Sequence, residues 1–199
     1  MLNMVAGCSV PDASKLAPAY ERDERGLLAN VNAEDICPLM EEFLSMQNDR
    51  VFLILEVQSN LKDEELLRKH DTDPFHIDVF YWDGLPKEYA IDLLQKNQEL
   101  LIHDGMSTFG FGSHGVRAEI LLEQYNVVRI FSEEPSLYEA LLERHGIPRV
   151  HELQTAWTQF GSGAYGECRA HKHHGKTIYD FIEFLKPYGL YFAERRELQ

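Results

Sequence analysis

The sequence predicts an α+β fold in which amphipathic helices cover a mostly antiparallel or mixed sheet within a single domain. The chain of 199 residues is 44% hydrophobic and 26% charged, which is a composition typical of globular proteins. Helical and strand-like patterns follow one another without a regular βαβ repeat, and this favours the α+β class. At this length one domain of about 150–200 residues is expected, and no linker divides the sequence.

The first thirty residues differ in pattern from the rest of the chain. They contain Pro11 and Pro18 and show little hydrophobic periodicity between residues 9 and 26. We therefore expect an irregular N-terminal arm over residues 1–30, followed by a single α+β domain over residues 31–199.

The clearest helical and strand patterns follow this arm. Apolar residues from Ile36 to Leu44 recur at the spacing of an amphipathic helix, with Pro38 in the first turn of that helix. The next apolar segment, from Val51 to Val57, has no breaker and predicts a central strand covered on both faces.

The remaining elements are predicted from the same periodicities and from turn residues. Residues 118–124 fit either a helix or a strand. Elsewhere we expect a short helix over 63–69, a strand over 76–82, a long helix over 86–102, a strand over 126–131, a helix over 133–145, a helix over 178–185 and a last strand over 190–195.

Residues 110–115 spell the GxGxxG pattern of dinucleotide-binding loops. That fingerprint requires a buried strand directly before it, whereas the preceding residues 103–108 are polar and include Gly105. We therefore interpret these glycines as serving turns and close backbone approach rather than nucleotide binding.

The charge of the chain narrows the classes of partner. The chain carries 33 acidic and 19 basic residues, a net charge of −14, which repels phosphate backbones and argues against nucleic-acid binding. Thirteen acidic and six basic residues lie in 49–104. This segment predicts an acidic docking face for a basic protein partner, as an inhibitor or immunity protein uses. The predicted interaction residues are Asp71, Asp73, Asp78, Trp157 and Tyr165.

A metal-dependent hydrolase or other small-molecule enzyme is the alternative to a non-catalytic binding module. Histidine, cysteine and carboxylate groups occur in two clusters, and these are the ligand types that a divalent metal ion would use to activate water. The sequence contains no cofactor signature, so a divalent metal is the one cofactor left open. The candidate ligands are His70, Asp71, Asp73 and His76 in one cluster, and Cys168, His171 and His173 in the other.

The cysteines and the lengths of the apolar runs indicate where in the cell the protein is expected. The three cysteines include no CxxC pair, which favours a reducing cytoplasm over a disulfide framework or a closed zinc site. Cys8 follows a small-residue pattern of lipoprotein signals, but no basic start and no apolar stretch precede it, so a lipid anchor is not expected. The longest apolar run is too short to span a bilayer, and we expect no membrane association. No oligomeric state is predicted.

Overall fold

The computed structural model describes residues 1–161 and 165–198 and confirms the α+β class. Eight strands form one antiparallel sheet in the order β10-β5-β4-β6-β7-β8-β3-β2, and β1 and β9 form a separate two-stranded antiparallel pair. The strands are β1 Cys8–Ser9, β2 Ala19–Asp23, β3 Gly26–Asn30, β4 Arg50–Gln58, β5 His76–Pro86, β6 Ser107–Ser113, β7 Ala118–Glu123, β8 Val127–Ser132, β9 Glu167–Cys168 and β10 Tyr191–Glu197. The helices are α1 Ala33–Ser45, α2 Leu61–Leu67, α3 Lys87–His103, α4 Pro135–Arg144, α5 Ala156–Gln159 and α6 Ile178–Leu185.

One main core lies between the sheet and four of the helices. Phe43 of α1, Leu94 of α3, Leu141 of α4 and Ile182 of α6 belong to the same buried cluster as Leu53 of β4. The predicted helices over 36–44, 86–102, 133–145 and 178–185 are thereby confirmed. Their apolar stripes are buried because each faces the same side of the sheet.

Strand β4 is central, as the sequence predicts, since it pairs with β5 on one side and β6 on the other. The prediction that β4 is covered on both faces is confirmed only for the face that packs against the helices. Phe52 and Ile54 point away from the main core, and the residues packed against their cluster all come from strands. The continuous apolar pattern therefore reflects packing against neighbouring strand side chains on one face and helices on the other.

The N-terminal segment is not an irregular arm. It supplies β2 and β3, and β3 pairs with β8 about a hundred residues later in the chain. Tyr20 and Leu27 are fully buried, and Leu2 and Leu16 also belong to the main core. The apolar residues of this segment follow no regular period, and the pairing of β3 with a strand so distant in sequence leaves no local signal.

The glycine-rich segment forms strand β6, and the ambiguous segment 118–124 forms its partner β7. A Cβ on Gly110 would collide with the Ile120 carbonyl and lie 2.7 Å from the Leu121 side chain. Close backbone approach is therefore the role of this glycine, in a strand rather than in a turn. Within residues 1–161 and 165–198, no helix combines the length and apolar content that crossing a membrane would require.

Candidate functional site

One face of the large sheet lacks a helical layer in the described part of the chain. Alternation along β4 directs Phe52, Ile54 and Glu56 to this side, where Val79 and Tyr81 of β5 lie beside them. Phe52, Ile54 and Val79 form a second buried cluster with no helix residue in it. We call this surface the uncovered face. Its other members include Ile77, Thr108, Gly110, Gly112, Glu119, Leu121, Glu123, Arg129, Phe131, Glu194 and Arg196.

Carboxylates outnumber guanidinium groups on the uncovered face. Glu56 accepts a hydrogen bond from Arg196 Nη1 at 3.1 Å, and Glu123 accepts one from Arg129 Nε at 3.0 Å. Glu119 makes no hydrogen bond or ion pair with any residue that the structure describes. Burial raises the pKa of Glu119, and the charge of Glu56 raises it further. A bound cation would therefore stabilise the Glu119 carboxylate better than the isolated protein does.

Glu119 lines a pocket of about 430 Å³ that also contains aromatic rings and the guanidinium of Arg117, which is paired with Glu133. The ring centroid of Phe52 lies 5.8 Å from that of Tyr81 and 4.7 Å from that of His114. Phe131 is directly opposite Glu119 in the β7–β8 register and also lines the pocket. A carboxylate beside aromatic rings suits a guanidinium or ammonium group, since the rings attract a cation through their faces and the carboxylate pairs with it.

A wider groove of about 670 Å³ adjoins this face near the ends of β4 and β7. Glu56, Leu121 and Glu123 of the uncovered face line it, together with Tyr125 and Trp157. Trp157, one of the predicted interaction residues, is 51% exposed. Its indole is therefore accessible next to the carboxylates of the uncovered face.

The predicted interaction residue Asp78 lies in the covered half of the molecule. It is only 7% exposed, and its carboxylate accepts hydrogen bonds from Ser59 Oγ at 2.7 Å and from Arg195 Nη2 at 3.0 Å. Burial opposes ionisation of Asp78, but the hydrogen bonds from Arg195 and Ser59 lower its pKa overall. Asp78 is a structural carboxylate, so an acidic docking face cannot include it.

The other two predicted acidic interaction residues, Asp73 and Asp71, have different surroundings. The Asp73 carboxylate accepts the backbone N–H groups of Lys69 and His70 at 2.8 and 3.0 Å, which closes a local turn. Asp71 and Tyr165 are exposed. The three predicted carboxylates are thus divided between a buried ion pair at Asp78, a turn at Asp73 and an exposed position at Asp71.

The first predicted metal cluster does not converge in the structure. The Nδ1 atom of His76 lies 3.2 Å from Glu64 Oε2, and the His76 backbone N–H donates to Glu64 Oε1 at 2.8 Å. His70 and Asp71 are exposed, and neither they nor Asp73 belong to a group of three ligand atoms lying close together among the described residues. Asp73 shapes the turn that follows α2, and His76 contacts Glu64 of that helix.

The second predicted cluster lies near the C-terminal end of α3 and is divided between a pair of thiols and a group of one carboxylate and two imidazoles. Cys168 of β9 is directly opposite Cys8 of β1, with 3.7 Å between the Sγ atoms. The hydrogen bond from Cys8 lowers the pKa of Cys168 to about 7, although burial opposes this shift. The same hydrogen bond, together with burial, raises the pKa of the Cys8 thiol. Cys168 is therefore the thiol of the pair that ionises first.

Glu99, His171 and His173 are brought together beside this pair. Their candidate ligand atoms all lie within 4.8 Å of one another, and within the described ranges no other histidine, cysteine or carboxylate group of three meets that condition. Cys168 is not a member. Glu99 was not predicted, although its spacing of four residues from His103 on one helix face was a signal available in the sequence.

Comparison with protein families, curated proteins and solved structures finds no match for this chain.

Proposed function

We propose that the protein is a non-catalytic binding module whose uncovered face binds a basic protein partner, with a lysine or arginine side chain of that partner entering the Glu119 pocket. The observation that carries this proposal is the half-buried Glu119 carboxylate, which has aromatic neighbours and no partner among the described residues. A guanidinium or ammonium group in direct contact would add an ion pair to the weaker attraction that the Arg196 charge already exerts on Glu119.

The surroundings of Glu119 support a protein partner. The half-buried Ile77, Tyr81 and Leu121 pack on the second buried cluster and give the face an accessible apolar centre. Glu56 and Glu123 lie around it. Protein interfaces combine an apolar centre with a charged rim in this way. The net charge of −14 would accelerate encounter with a basic protein and make the binding sensitive to salt.

Within this proposal, the class that we favour for this protein is an inhibitor or immunity protein whose partner is a cationic toxin or nuclease. Such a protein needs acidic and aromatic contacts and no catalytic group of its own. We also propose a cytoplasmic location, on the basis of three cysteines without a CxxC pair.

Binding of an oligo-arginine peptide tests this proposal directly. We expect fluorescence anisotropy to show binding at low salt that weakens as salt is added, and no binding of an oligo-glutamate peptide. The variant Glu119→Gln should weaken oligo-arginine binding about 10- to 150-fold, because a charge-assisted contact contributes roughly 1.5–3 kcal/mol. The variant Asp92→Asn is the matched control, since Asp92 is an exposed carboxylate on α3.

Two outcomes would overturn the proposal. If Asp92→Asn weakens binding as much as Glu119→Gln, the peptide is attracted only by the net charge. If amide shifts in an NMR titration map to the helical side rather than to β4, β5 and β7, the peptide does not bind the uncovered face.

A further inference from the structure

We propose that Glu99, His171 and His173 form a binding site for a divalent transition-metal ion of the Zn²⁺ class. Glu99 lies in the last turns of α3, and the two histidines lie in the segment between β9 and α6. Their candidate ligand atoms lie within 4.8 Å of one another. This site shares no residue with the uncovered face and does not depend on the function proposed above.

The donor set fits this class of metal. Two imidazoles and one carboxylate are the protein ligands of many zinc sites that keep a fourth position for water. Ligand atoms around tetrahedral Zn²⁺ are about 3.3 Å apart, as follows from bonds of about 2.0–2.1 Å. Glu99 is exposed, so rotation of its side chain can close the remaining separation without moving the helix.

The backbone around the two histidines is held in place at both ends. The Gly105 N–H donates to the Arg169 carbonyl at 3.1 Å, which ties the start of the segment to the end of α3. His173 exchanges two backbone hydrogen bonds of 3.0 Å with Lys176 across a tight turn. His174 has a positive φ of 49° in that turn. The site is therefore built on restrained backbone and not on a mobile histidine tract.

His103 is placed as a positioning residue behind Glu99. Its Nδ1 atom accepts the Ala6 backbone N–H at 3.0 Å, so Nε2 carries the proton in the neutral ring. Nε2 lies 4.0 Å from the Glu99 carboxylate. Outer groups of this kind orient metal-bound carboxylates, and their loss weakens metal binding roughly 10- to 100-fold.

Calorimetric titration of the full chain with Zn²⁺, in the presence of a non-thiol reductant, is the test. We expect one ion per chain, a rise in Tm on adding Zn²⁺, and the visible absorption of four-coordinate Co²⁺ when cobalt replaces zinc. Glu99→Gln, His171→Ala and His173→Ala should each weaken Zn²⁺ binding by more than about tenfold. If an alanine variant fails to fold, His173→Gln tests the same ligand with a side chain of similar size.

His174→Asn is the matched control, because His174 is adjacent to His173 and asparagine tolerates its positive φ. This variant should keep Zn²⁺ affinity. If it loses as much affinity as His173→Ala, the histidine tract binds metal adventitiously and the proposal fails. Cys168→Ser separates the remaining alternative: an equal loss in that variant would place the metal on the thiol pair instead. The absence of stoichiometric Zn²⁺ binding would also overturn the site.

Discussion

The two faces of the large sheet are built from the same strands and have different chemistry. On the covered face, Phe111 of β6 and Ile120 of β7 are fully buried beneath the helices. On the uncovered face, the neighbouring positions of those strands are Gly112 and Glu119. Because side chains alternate along a strand, one strand can supply both a packed core and a polar, accessible surface.

The carboxylates show the same contrast. Asp78, on the covered side, has Arg195 and Ser59 as hydrogen-bond donors, and its pKa is lowered in spite of its burial. Glu119, on the uncovered face, has no such donor within residues 1–161 and 165–198, and burial raises its pKa. A carboxylate with its partners inside the fold stabilises the fold. A desolvated carboxylate that has no hydrogen-bond donor destabilises the fold and favours binding of a cationic group from another molecule.

The largest expected effect is the loss of a ring from the covered face. Phe111→Ala should lower the free energy of unfolding by about 3–5 kcal/mol, because it leaves a cavity beneath the helices. Phe131→Ala, on the uncovered face, should cost much less because its ring is half-buried. Urea unfolding of both variants measures the difference. Equal costs would mean that a further layer covers the second face.

The next largest effect on the free energy of unfolding is expected at Asp78. Asp78→Asn should lower the free energy of unfolding by about 1–3 kcal/mol at neutral pH, since it removes charge-assisted hydrogen bonds. The folded-state pKa of Asp78 is lowered, so this stability is present above the pKa of the unfolded chain and is lost as the pH falls through the folded-state value. Thermal unfolding across pH should show the wild type and Asp78→Asn converging in acid. A constant gap would exclude ionisation as the cause.

A smaller effect of opposite sign is expected at Glu119. Its pKa is raised in the folded state, so the stability linked to its protonated form is present below the unfolded-state pKa and is lost as the pH rises through the folded-state value. Glu119→Gln should therefore raise the Tm at neutral pH, and the gain should vanish in acid. Differential scanning calorimetry at several pH values would detect this. A lower Tm at neutral pH would show that Glu119 has a stabilising partner.

The last comparison concerns the reactivity of two thiols and involves no change in stability. One thiol lies beside the uncovered face and the other lies on a helix. Cys168 lines the groove beside the uncovered face, and the hydrogen bond from Cys8 lowers its pKa to about 7. Cys37 lies on α1, where burial raises the thiol pKa to about 12. Iodoacetamide at pH 7 should modify Cys168 first, as peptide mass spectrometry would show. Faster modification of Cys37 would contradict this order.

Local periodicity was sufficient for most elements of the fold. The spacing of Ile36 to Leu44, the unbroken run of β4 and the turn residues around α4 predicted those elements because each pattern lies within a few neighbouring residues. Strands β1, β2, β3, β6 and β9 were missed. β1 pairs with β9, β2 with β3, β3 also with β8, and β6 with β4 and β7, so their identity as strands depends on pairing rather than on their own composition.

The candidate sites depend still more on tertiary contacts. The charge of residues 49–104 suggested one acidic face, but folding places Asp78 and Glu64 inside hydrogen-bonded contacts. His171 and His173 were recognised from the sequence, whereas Glu99 joins them from a helix about seventy residues earlier. Sequence spacing cannot show which side chains meet across such distances.

The sequence by itself determined that this protein is an acidic α+β domain with amphipathic helices, since composition and periodicity are properties of neighbouring residues. Tertiary structure alone decided two features of the described residues: one sheet face has no helical layer, and Glu119 has no hydrogen-bonded partner in its pocket. It also decided that Glu99 lies close to two histidines. The physical reason is that burial and proximity arise when distant segments pack together, and those quantities set the charge state and ligand chemistry of a side chain.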